Sequence, residues 1–398
     1  MKDVSLRVAS LAISQTLAMS QKSRDLQAQG KDVINLSVGE PDFNTPDHIK
    51  EAAIKAINDN FSHYSPVPGY PALIEAISNK LKRDNNLNYG KDQIVVSCGA
   101  KHSLANIILS LVNKGDEVIV PAPYWVSYVE LVKLAEGENV VIQTTINNDF
   151  KITPDQLKNA ITAKTKVLFL CSPSNPTGSL YSKDELKAIA EVIANADHDI
   201  YIISDEIYEH INFEGDHESI AQFDFIKDKV IVVNGVSKGY AMTGWRIGFI
   251  AAPVWIAKAC NKIQGQVTSG VSSISQMASV AAFNTESNCI KDMVAAFKRR
   301  RDLVVELMKD IDGLKNNVPK GAFYLFPEAS SYFGKSDGET IINNSEDLCM
   351  YILEKAMVAT VPGSAFGSPD YIRFSYATSD ERLVEALQRM KTVLDKLN

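Results

Sequence analysis

The sequence of 398 residues predicts an α/β protein in which a mainly parallel sheet carries helices on both faces. Short apolar runs alternate with segments of helical periodicity, and several of these runs end abruptly in polar residues. The length predicts a second, smaller domain, because one core rarely grows beyond roughly 250 to 300 residues. We expect an N-terminal arm with part of the small domain over 1–44, a large domain over 45–285 and a small domain over 286–398.

Helix starts are indicated by local patterns. The first 26 residues alternate polar and apolar positions at helical spacing, unlike the continuous apolar core of a signal peptide, and are interpreted as an arm or helix. Three capping boxes, in which Ser or Thr precedes Glu or Gln by three positions, predict that helices begin at Thr153, Ser182 and Thr378.

The segment 93–112 runs from a strand through Gly99 into an apolar-periodic helix. Glycine lets backbone N–H groups approach an anion, and the partial positive charge of a helix N-terminus favours that anion. This pattern predicts a phosphate-binding site. Soon afterwards, Trp125 follows the next strand in a loop, where its indole could stack on a flat ring or simply pack in the core.

Two further strands end in polar side chains. Asn175 follows the apolar run that starts at Lys166, within an Asn-Pro-x-Gly pattern that is compatible with both a turn and a ligand contact. The run from Asp199 ends in Asp205 and Tyr208, three residues apart. Asp205 could instead cap a following helix, as Asp often does after a strand.

The run 229–233 is interpreted as a parallel strand covered on both faces, so Lys238 should leave the carboxyl end of the sheet beside Arg246. Loss of water and a nearby cation both lower a lysine pKa, which frees the amine to form a Schiff base with an aldehyde. Arg246 offers a planar fork for phosphate. A ligand with both groups suggests pyridoxal phosphate. An isolated Ser-Lys pair would otherwise indicate a surface lysine.

If this cofactor binds, each of the other polar residues has an expected role. A carboxylate such as Asp205 would keep the pyridine nitrogen protonated, so that the ring accepts electrons. Tyr208 and Asn175 would donate to the ring hydroxyl oxygen, Asn175 also to a substrate carboxylate, and Trp125 would stack on the ring.

Together, these motifs resemble the fold-type I pyridoxal phosphate enzymes, and most closely the bacterial subgroup of class I aspartate aminotransferases. The resemblance implies a seven-stranded type of mainly parallel sheet and covers almost the whole chain, through residues 34–46, 63–77, 123–128, 174–178, 204–210, 237–248, 361–367 and 371–379.

The resemblance implies a role for each matching residue. Lys238 carries the cofactor and moves the proton, with Asp205 and Tyr208 as its catalytic partners. The phosphate is held by Ser237, Arg246 and the backbone at Gly99, Ala100 and Lys101, with Tyr64 lent across a homodimer interface. Arg373 takes the substrate α-carboxylate, which the backbone of Gly39 also approaches, and Trp125 and Asn175 are further substrate-binding residues.

Substrate choice depends on a second cation, because an aspartate enzyme must hold a second carboxylate. The resemblance places Lys101 in this role, with Ser14 and Thr16 as polar neighbours. The expected reaction is a ping-pong transfer of the amino group of L-aspartate to 2-oxoglutarate. Aromatic amino acids or prephenate remain alternative substrates. A β-lyase, a synthase acting on another amino acid or a ligand-sensing transcription factor are alternative functions; the 38 residues before the Gly39 motif would not accommodate a DNA-binding module.

Composition excludes several other classes. Lys and Arg number 41 against 48 Asp and Glu, so no broad basic surface for nucleic acid is expected, and the run Lys298–Arg301 is interpreted as a solvated helix face. No apolar run approaches the ~20 residues that span a bilayer. Five scattered cysteines, Cys289 among them, indicate neither a disulfide framework nor a zinc site, and we expect a cytoplasmic protein without a metal.

Overall fold

A computed structural model of the chain describes residues 4–285 and 288–398. Its strands are β1 (Ile34–Asn35), β2 (Ile94–Ser97), β3 (Glu117–Ala122), β4 (Glu138–Gln143), β5 (Thr165–Cys171), β6 (Tyr201–Asp205), β7 (Val230–Gly235), β8 (Gly248–Ala251), β9 (Tyr324–Leu325), β10 (Val358–Ala359), β11 (Val361–Pro362) and β12 (Ile372–Ser375).

Its α-helices are α1 (Leu6–Ala9), α2 (Gln15–Ala28), α3 (Asp47–Asn58), α4 (Pro71–Asn85), α5 (Ala100–Leu111), α6 (Ser127–Leu134), α7 (Pro154–Ala160), α8 (Lys183–Ala194), α9 (Val254–Val267), α10 (Ser273–Asn284), α11 (Asn288–Met308), α12 (Ser345–Tyr351) and α13 (Asp380–Leu394). Short α1 and longer α2 occupy the segment predicted as an arm or helix.

The main sheet has seven strands in the order β2-β8-β7-β6-β5-β3-β4. The five strands from β7 to β4 are parallel, whereas β8 pairs antiparallel with both β7 and β2. The strand predicted at 229–233 is therefore parallel to its neighbour on one side only. These features confirm the predicted fold class.

Both faces of the sheet are covered by helices. In β5, Val167 and Phe169 belong to a core with residues of α5 and α9, whereas Leu168 and Leu170 belong to the other core, with residues of α4 and α8. Alternate residues of one strand thus enter different cores, which explains why these strands read as continuous apolar runs.

Two smaller sheets bring the ends of the chain together. β1 pairs with β10, so the N-terminal segment joins the C-terminal part, and β11, β12 and β9 form an antiparallel sheet. The predicted boundary after residue 285 falls on residues 286–287, which lie outside the described residues.

Two of the three predicted capping boxes are present, at Thr153 before α7 and Ser182 before α8. The third prediction was wrong by one residue, because α13 is capped by Ser379 rather than Thr378. The Ser379 side chain accepts from the backbone N–H of Arg382, and this satisfies a helix donor one position further along.

The basic run at the centre of α11 is not a fully solvated face, and that interpretation was wrong. Arg300 and Arg301 are buried, whereas Lys298 and Arg299 are exposed. Arg300 donates two hydrogen bonds to Asp42, at 2.7 and 2.8 Å. The run therefore ties the C-terminal part to the N-terminal segment.

A buried ionic cluster lies where α4 meets the segment after β6. Lys80, which is 0% exposed, forms a salt bridge with the buried Glu209. The Nε2 atom of His217 lies 3.1 Å from Oε2 of Glu206. Potential ligand atoms of Glu206, Glu209 and His217 lie within 4.8 Å of one another, so three groups of a metal-binding type meet here. The Lys80 ammonium already compensates one of the two carboxylates.

Two sequence expectations concern membrane-spanning helices and the cysteines. Among residues 4–285 and 288–398, no helix has the length and apolar character needed to cross a bilayer. Cys98, Cys171, Cys260 and Cys349 are free thiols, and the Cys289 side chain lies outside the described residues.

Candidate active site

A cavity of about 310 Å³ opens where β5, β6 and β7 end. It brings together most of the residues selected from the sequence, which reach it from separate strands and loops: Gly39, Ala100, Lys101, Trp125, Asn175, Asp205, Tyr208, Ser237, Lys238, Arg246 and Arg373, together with Ser14 and Thr16. The carboxyl ends of parallel strands place such side chains at one edge.

Lys238 lies three residues beyond the end of β7 and is half-buried. Its Nζ donates to the backbone oxygen of Gly39. Loss of water contact lowers the pKa of Lys238 to about 8, with help from the Arg373 and Arg246 cations and against the attraction of the Glu40 carboxylate. A substantial fraction of the amine is therefore neutral near pH 8, as nucleophilic chemistry requires.

Asp205 ends β6 and is only 4% exposed. Burial raises the pKa of Asp205 to about 6, while hydrogen bonds from the Tyr128 hydroxyl and the Ile207 backbone N–H lower it. The carboxylate is thus predominantly ionised at neutral pH. No helix follows β6 directly, so Asp205 does not act as a helix cap.

Arg373 lies on β12 and is 2% exposed. Its Nη1 donates to the side-chain oxygen of Asn175 at 2.9 Å, and its Nη2 donates to the backbone oxygen of Ser37 at 2.7 Å. Its Nε has no hydrogen-bond partner among the residues that the structure describes. The guanidinium carbon lies 4.5 Å from the ring centre of Tyr324, so aromatic packing and two hydrogen bonds orient the fork.

Tyr208 is buried, and its hydroxyl lies 2.8 Å from that of Tyr324. Burial raises the pKa of Tyr208 well above its ordinary value, and the phenol therefore remains a neutral donor. Asn175 is also buried, and its side-chain oxygen is engaged by Arg373. The amide NH₂ is the donor that Asn175 retains for a ligand.

Gly99 and Arg246 lie side by side at the N-terminus of α5. Gly99 is the N-cap, with φ 79° and ψ 159°. A Cβ on residue 99 would lie 2.8 Å from Cζ of Arg246 and closer still to Nη2, so only glycine leaves space for the guanidinium. Ser237 is buried on the same cavity. Gly99 itself does not line the cavity, whereas its neighbour Ala100 does.

Lys101 and Trp125 form another part of the cavity wall. The Lys101 ammonium lies 4.8 Å from the centre of the Trp125 ring. Partial loss of water contact and the nearby Arg246 lower the pKa of Lys101. Trp125 is half-buried and lines the cavity, whereas a core tryptophan would be fully buried away from it.

Tyr64, like Gly99, is a selected residue that does not line the cavity. It is 97% exposed. Gly39 lines the cavity and lies against Tyr324, since a Cβ on residue 39 would meet the Tyr324 hydroxyl group.

The sequence reading missed Tyr128 and Tyr324, both of which line the cavity. The Tyr128 hydroxyl donates to Asp205 at 2.6 Å, across 77 residues of sequence. Tyr324 lies in an apolar aromatic stretch that gives no local sign of a polar contact. Only the position of Tyr128 after a strand, three residues beyond Trp125, could have indicated it.

These residues fit pyridoxal phosphate. The Arg246 guanidinium, for which Gly99 leaves space, suits a phosphate, and a buried carboxylate suits a protonated ring nitrogen in the same cavity as an amine of lowered pKa. The fold and the site therefore define a pyridoxal phosphate-dependent enzyme of fold-type I.

The chain belongs to the class I and II aminotransferases, whose family model matches residues 31–390. Members of this family use pyridoxal phosphate and act on amino acids and 2-oxo acids. The chain is 47% identical over 400 residues to a probable aspartate/prephenate aminotransferase of Rickettsia bellii, with 100% of both chains covered. It is 45% identical over 392 residues to an aspartate aminotransferase of Bacillus subtilis, with 98% of both covered.

Solved structures show the same relationship. The aspartate aminotransferase from Rhizobium meliloti superposes with a TM-score of 0.96 at 42% identity, covering 100% of both chains. The aspartate aminotransferase from Thermus thermophilus, solved with maleate, superposes with a TM-score of 0.93 at 38% identity, covering 99% of this chain and 100% of that one.

Proposed function

We propose that this protein transfers the amino group of L-aspartate to 2-oxoglutarate, yielding oxaloacetate and L-glutamate by a ping-pong mechanism. One observation carries the proposal: the cavity that contains Lys238 also contains two cations for carboxylates, Arg373 and Lys101. Bound pyridoxal phosphate supplies an aldehyde for the amino group and a ring that accepts electrons from Cα.

Arg373 binds the α-carboxylate of either substrate. Its orientation by Asn175 and Ser37 sets the plane of the guanidinium before substrate arrives, and this reduces the entropic cost of binding. The Tyr324 and Phe366 rings on which it packs limit water around the ion pair and so strengthen it.

Lys238 binds the cofactor and then acts as the base. Its amine, with a pKa of about 8, is suited to take a proton from the substrate Cα and to give it up again as a general acid. Asp205 would hold the ring nitrogen of the cofactor in its protonated form, and Tyr208 and Asn175 would donate to the ring hydroxyl oxygen. Ser237, Arg246 and the backbone at Gly99, Ala100 and Lys101 would hold the phosphate.

Lys101 receives the distal carboxylate of aspartate, with Ser14 and Thr16 beside it on the cavity wall. The location of Lys101 against Trp125 supports this role, because its ammonium lies on the cavity wall. No carboxylate among the described residues forms a salt bridge with it. The Thermus relative was solved with maleate, which carries two carboxylates.

The experiment compares Lys101→Ala with wild type for aspartate and for alanine as amino donors. The KM for aspartate should rise about 10- to 100-fold, which corresponds to the loss of a charge-assisted hydrogen bond, while the KM for alanine stays nearly constant. Lys114→Ala is the matched control, because Lys114 is exposed outside the cavity. Equal changes for both donors would refute the assignment.

Prephenate is a second candidate substrate. It carries two carboxylates, which Arg373 and Lys101 could bind in the same way, and the Rickettsia relative is named for both aspartate and prephenate. Direct comparison of kcat/KM for oxaloacetate and prephenate, with glutamate as donor, distinguishes a dual enzyme from one restricted to aspartate.

The assembly and its location belong to the same proposal. We infer a cytoplasmic homodimer in which Tyr64, exposed at 97% in the single chain, reaches the phosphate of the partner subunit. Residues 45–285 would form the cofactor-binding domain, and 1–44 with 286–398 the arm and the small domain. The pairing of β1 with β10 supports this division. Sedimentation of the purified protein, with Tyr64→Phe tested for cofactor affinity, examines the dimer.

A further inference from the structure

Tyr128 is a buried residue in the cavity wall whose side chain touches two groups of the site. It lies at the start of α6, is 2% exposed, and donates from its hydroxyl to Oδ2 of Asp205 at 2.6 Å. The edge of its ring system also meets Trp125, with ring centres 5.5 Å apart and planes at 86°.

The orientation of Tyr128 is itself fixed by packing. Its ring stacks on Phe169 of β5, with centres 4.4 Å apart and planes at 14°. A hydroxyl held in this way has little freedom to leave the carboxylate. Burial and the adjacent Asp205 also raise the pKa of Tyr128 well above its ordinary value, so the phenol keeps the proton that it donates.

Asp205 has few other groups that stabilise its negative charge. Its Oδ1 accepts from the backbone N–H of Ile207 at 3.3 Å, which is a longer contact than that from Tyr128. The neighbouring Glu206 disfavours the ionised form, and Lys238 favours it. The Tyr128 hydroxyl is therefore the side-chain donor on which an ionised and oriented Asp205 depends.

We propose that Tyr128 is a positioning residue, whose hydroxyl holds Asp205 as an oriented anion while its ring sets the plane of Trp125. The inference rests on the proposed function only through the cofactor, since it concerns the two groups assigned to the pyridine ring. A tyrosine that serves folding alone would make the same contacts without affecting how the cofactor binds.

The test is a double-mutant cycle on cofactor binding. The apoprotein is titrated with pyridoxal 5′-phosphate for wild type, Tyr128→Phe, Asp205→Ala and the double variant. Loss of a hydrogen bond to a charged group predicts a Kd about tenfold higher for Tyr128→Phe. In the Asp205→Ala background the same change should have little further effect, because the acceptor is gone.

Circular dichroism of the bound cofactor in the visible region gives a second readout that does not depend on activity. It should change in Tyr128→Phe, because the Asp205 carboxylate loses the hydroxyl that orients it, while the ring beside Trp125 is retained. Tyr351→Phe is the matched control: Tyr351 is also buried and donates to a backbone oxygen, that of Val393 at 3.2 Å, outside the cavity.

Three results would overturn the inference: an unchanged Kd and spectrum in Tyr128→Phe, an equal loss in the Asp205→Ala background, or the same changes in Tyr351→Phe. Since no amino acid is present in the titration, a protein that binds the cofactor but rejects aspartate would contradict the proposed function and leave this test intact.

Discussion

Substituting Gly99 by alanine should specifically weaken binding of the cofactor phosphate. Residue 99 has φ 79° and ψ 159°, a region open almost only to glycine, and forcing alanine into it costs on the order of 1–3 kcal/mol. The new Cβ would also lie 2.8 Å from Cζ of Arg246, so the guanidinium must move away.

The expected effect on cofactor affinity follows from that displacement. A hydrogen bond between an arginine and a phosphate contributes about 1.5–3 kcal/mol, so its loss should raise the Kd for pyridoxal 5′-phosphate about 10- to 100-fold. Pyridoxal, which lacks the phosphate, should bind Gly99→Ala and wild type with similar affinity.

The chain provides a matched control in Gly115. Its φ is 84°, but a Cβ there would meet nothing within 4 Å. Gly115→Ala should therefore show a strained backbone, detected as a lower unfolding midpoint, with unchanged cofactor affinity. The reasoning is refuted if Gly99→Ala binds pyridoxal phosphate like wild type, or if its affinity for pyridoxal falls by the same factor.

Three other predictions concern buried charges. Arg373→Lys should lower kcat/KM about 10- to 100-fold for aspartate and alanine alike, because the planar fork for the α-carboxylate is lost; a loss restricted to aspartate in steady-state assays would contradict this. The initial rate at which apoprotein takes up pyridoxal phosphate should rise with pH through a midpoint near 8, since only the neutral Lys238 amine attacks; a midpoint near roughly 10.4 would argue against a lowered pKa. Lys80→Met should destabilise the fold by about 3–5 kcal/mol at pH 8, because Glu209 keeps a buried charge without its partner. Lys80 lowers the pKa of Glu209, so the wild type loses the stability from this ion pair only when acid protonates the carboxylate. In the variant, protonation of Glu209 removes the cost of its unpaired buried charge. Urea unfolding should accordingly show a smaller difference at pH 5 than at pH 8, and the exposed Lys55→Met should show little change at either pH.

The sequence predicted the parts of the fold that depend on local patterns. Apolar runs such as 167–170 enter two cores at once, and this double burial leaves a continuous signal in the sequence. Polar residues at or just beyond strand ends, such as Asp205 and Lys238, were found for the same reason, because the end of a buried run marks the edge of the sheet.

Contacts between distant segments left no such signal. The hydrogen bond from Tyr128 to Asp205 joins α6 to the end of β6, and Lys80 meets Glu209 across more than a hundred residues. The burial of Arg300 depends on Asp42, which is contributed by the N-terminal segment. The cap of α13 moved by one residue because Thr378 and Ser379 are both suitable caps and only the backbone selects between them.

The visible absorption spectrum of the purified protein with pyridoxal phosphate tests the central claim most directly. The band of the bound cofactor should bleach when aspartate is added alone and return when 2-oxoglutarate follows, since each half of a ping-pong transfer is then seen separately. A band that aspartate leaves unchanged would contradict aspartate as the amino donor, and the absence of any band would contradict the cofactor site built around Lys238.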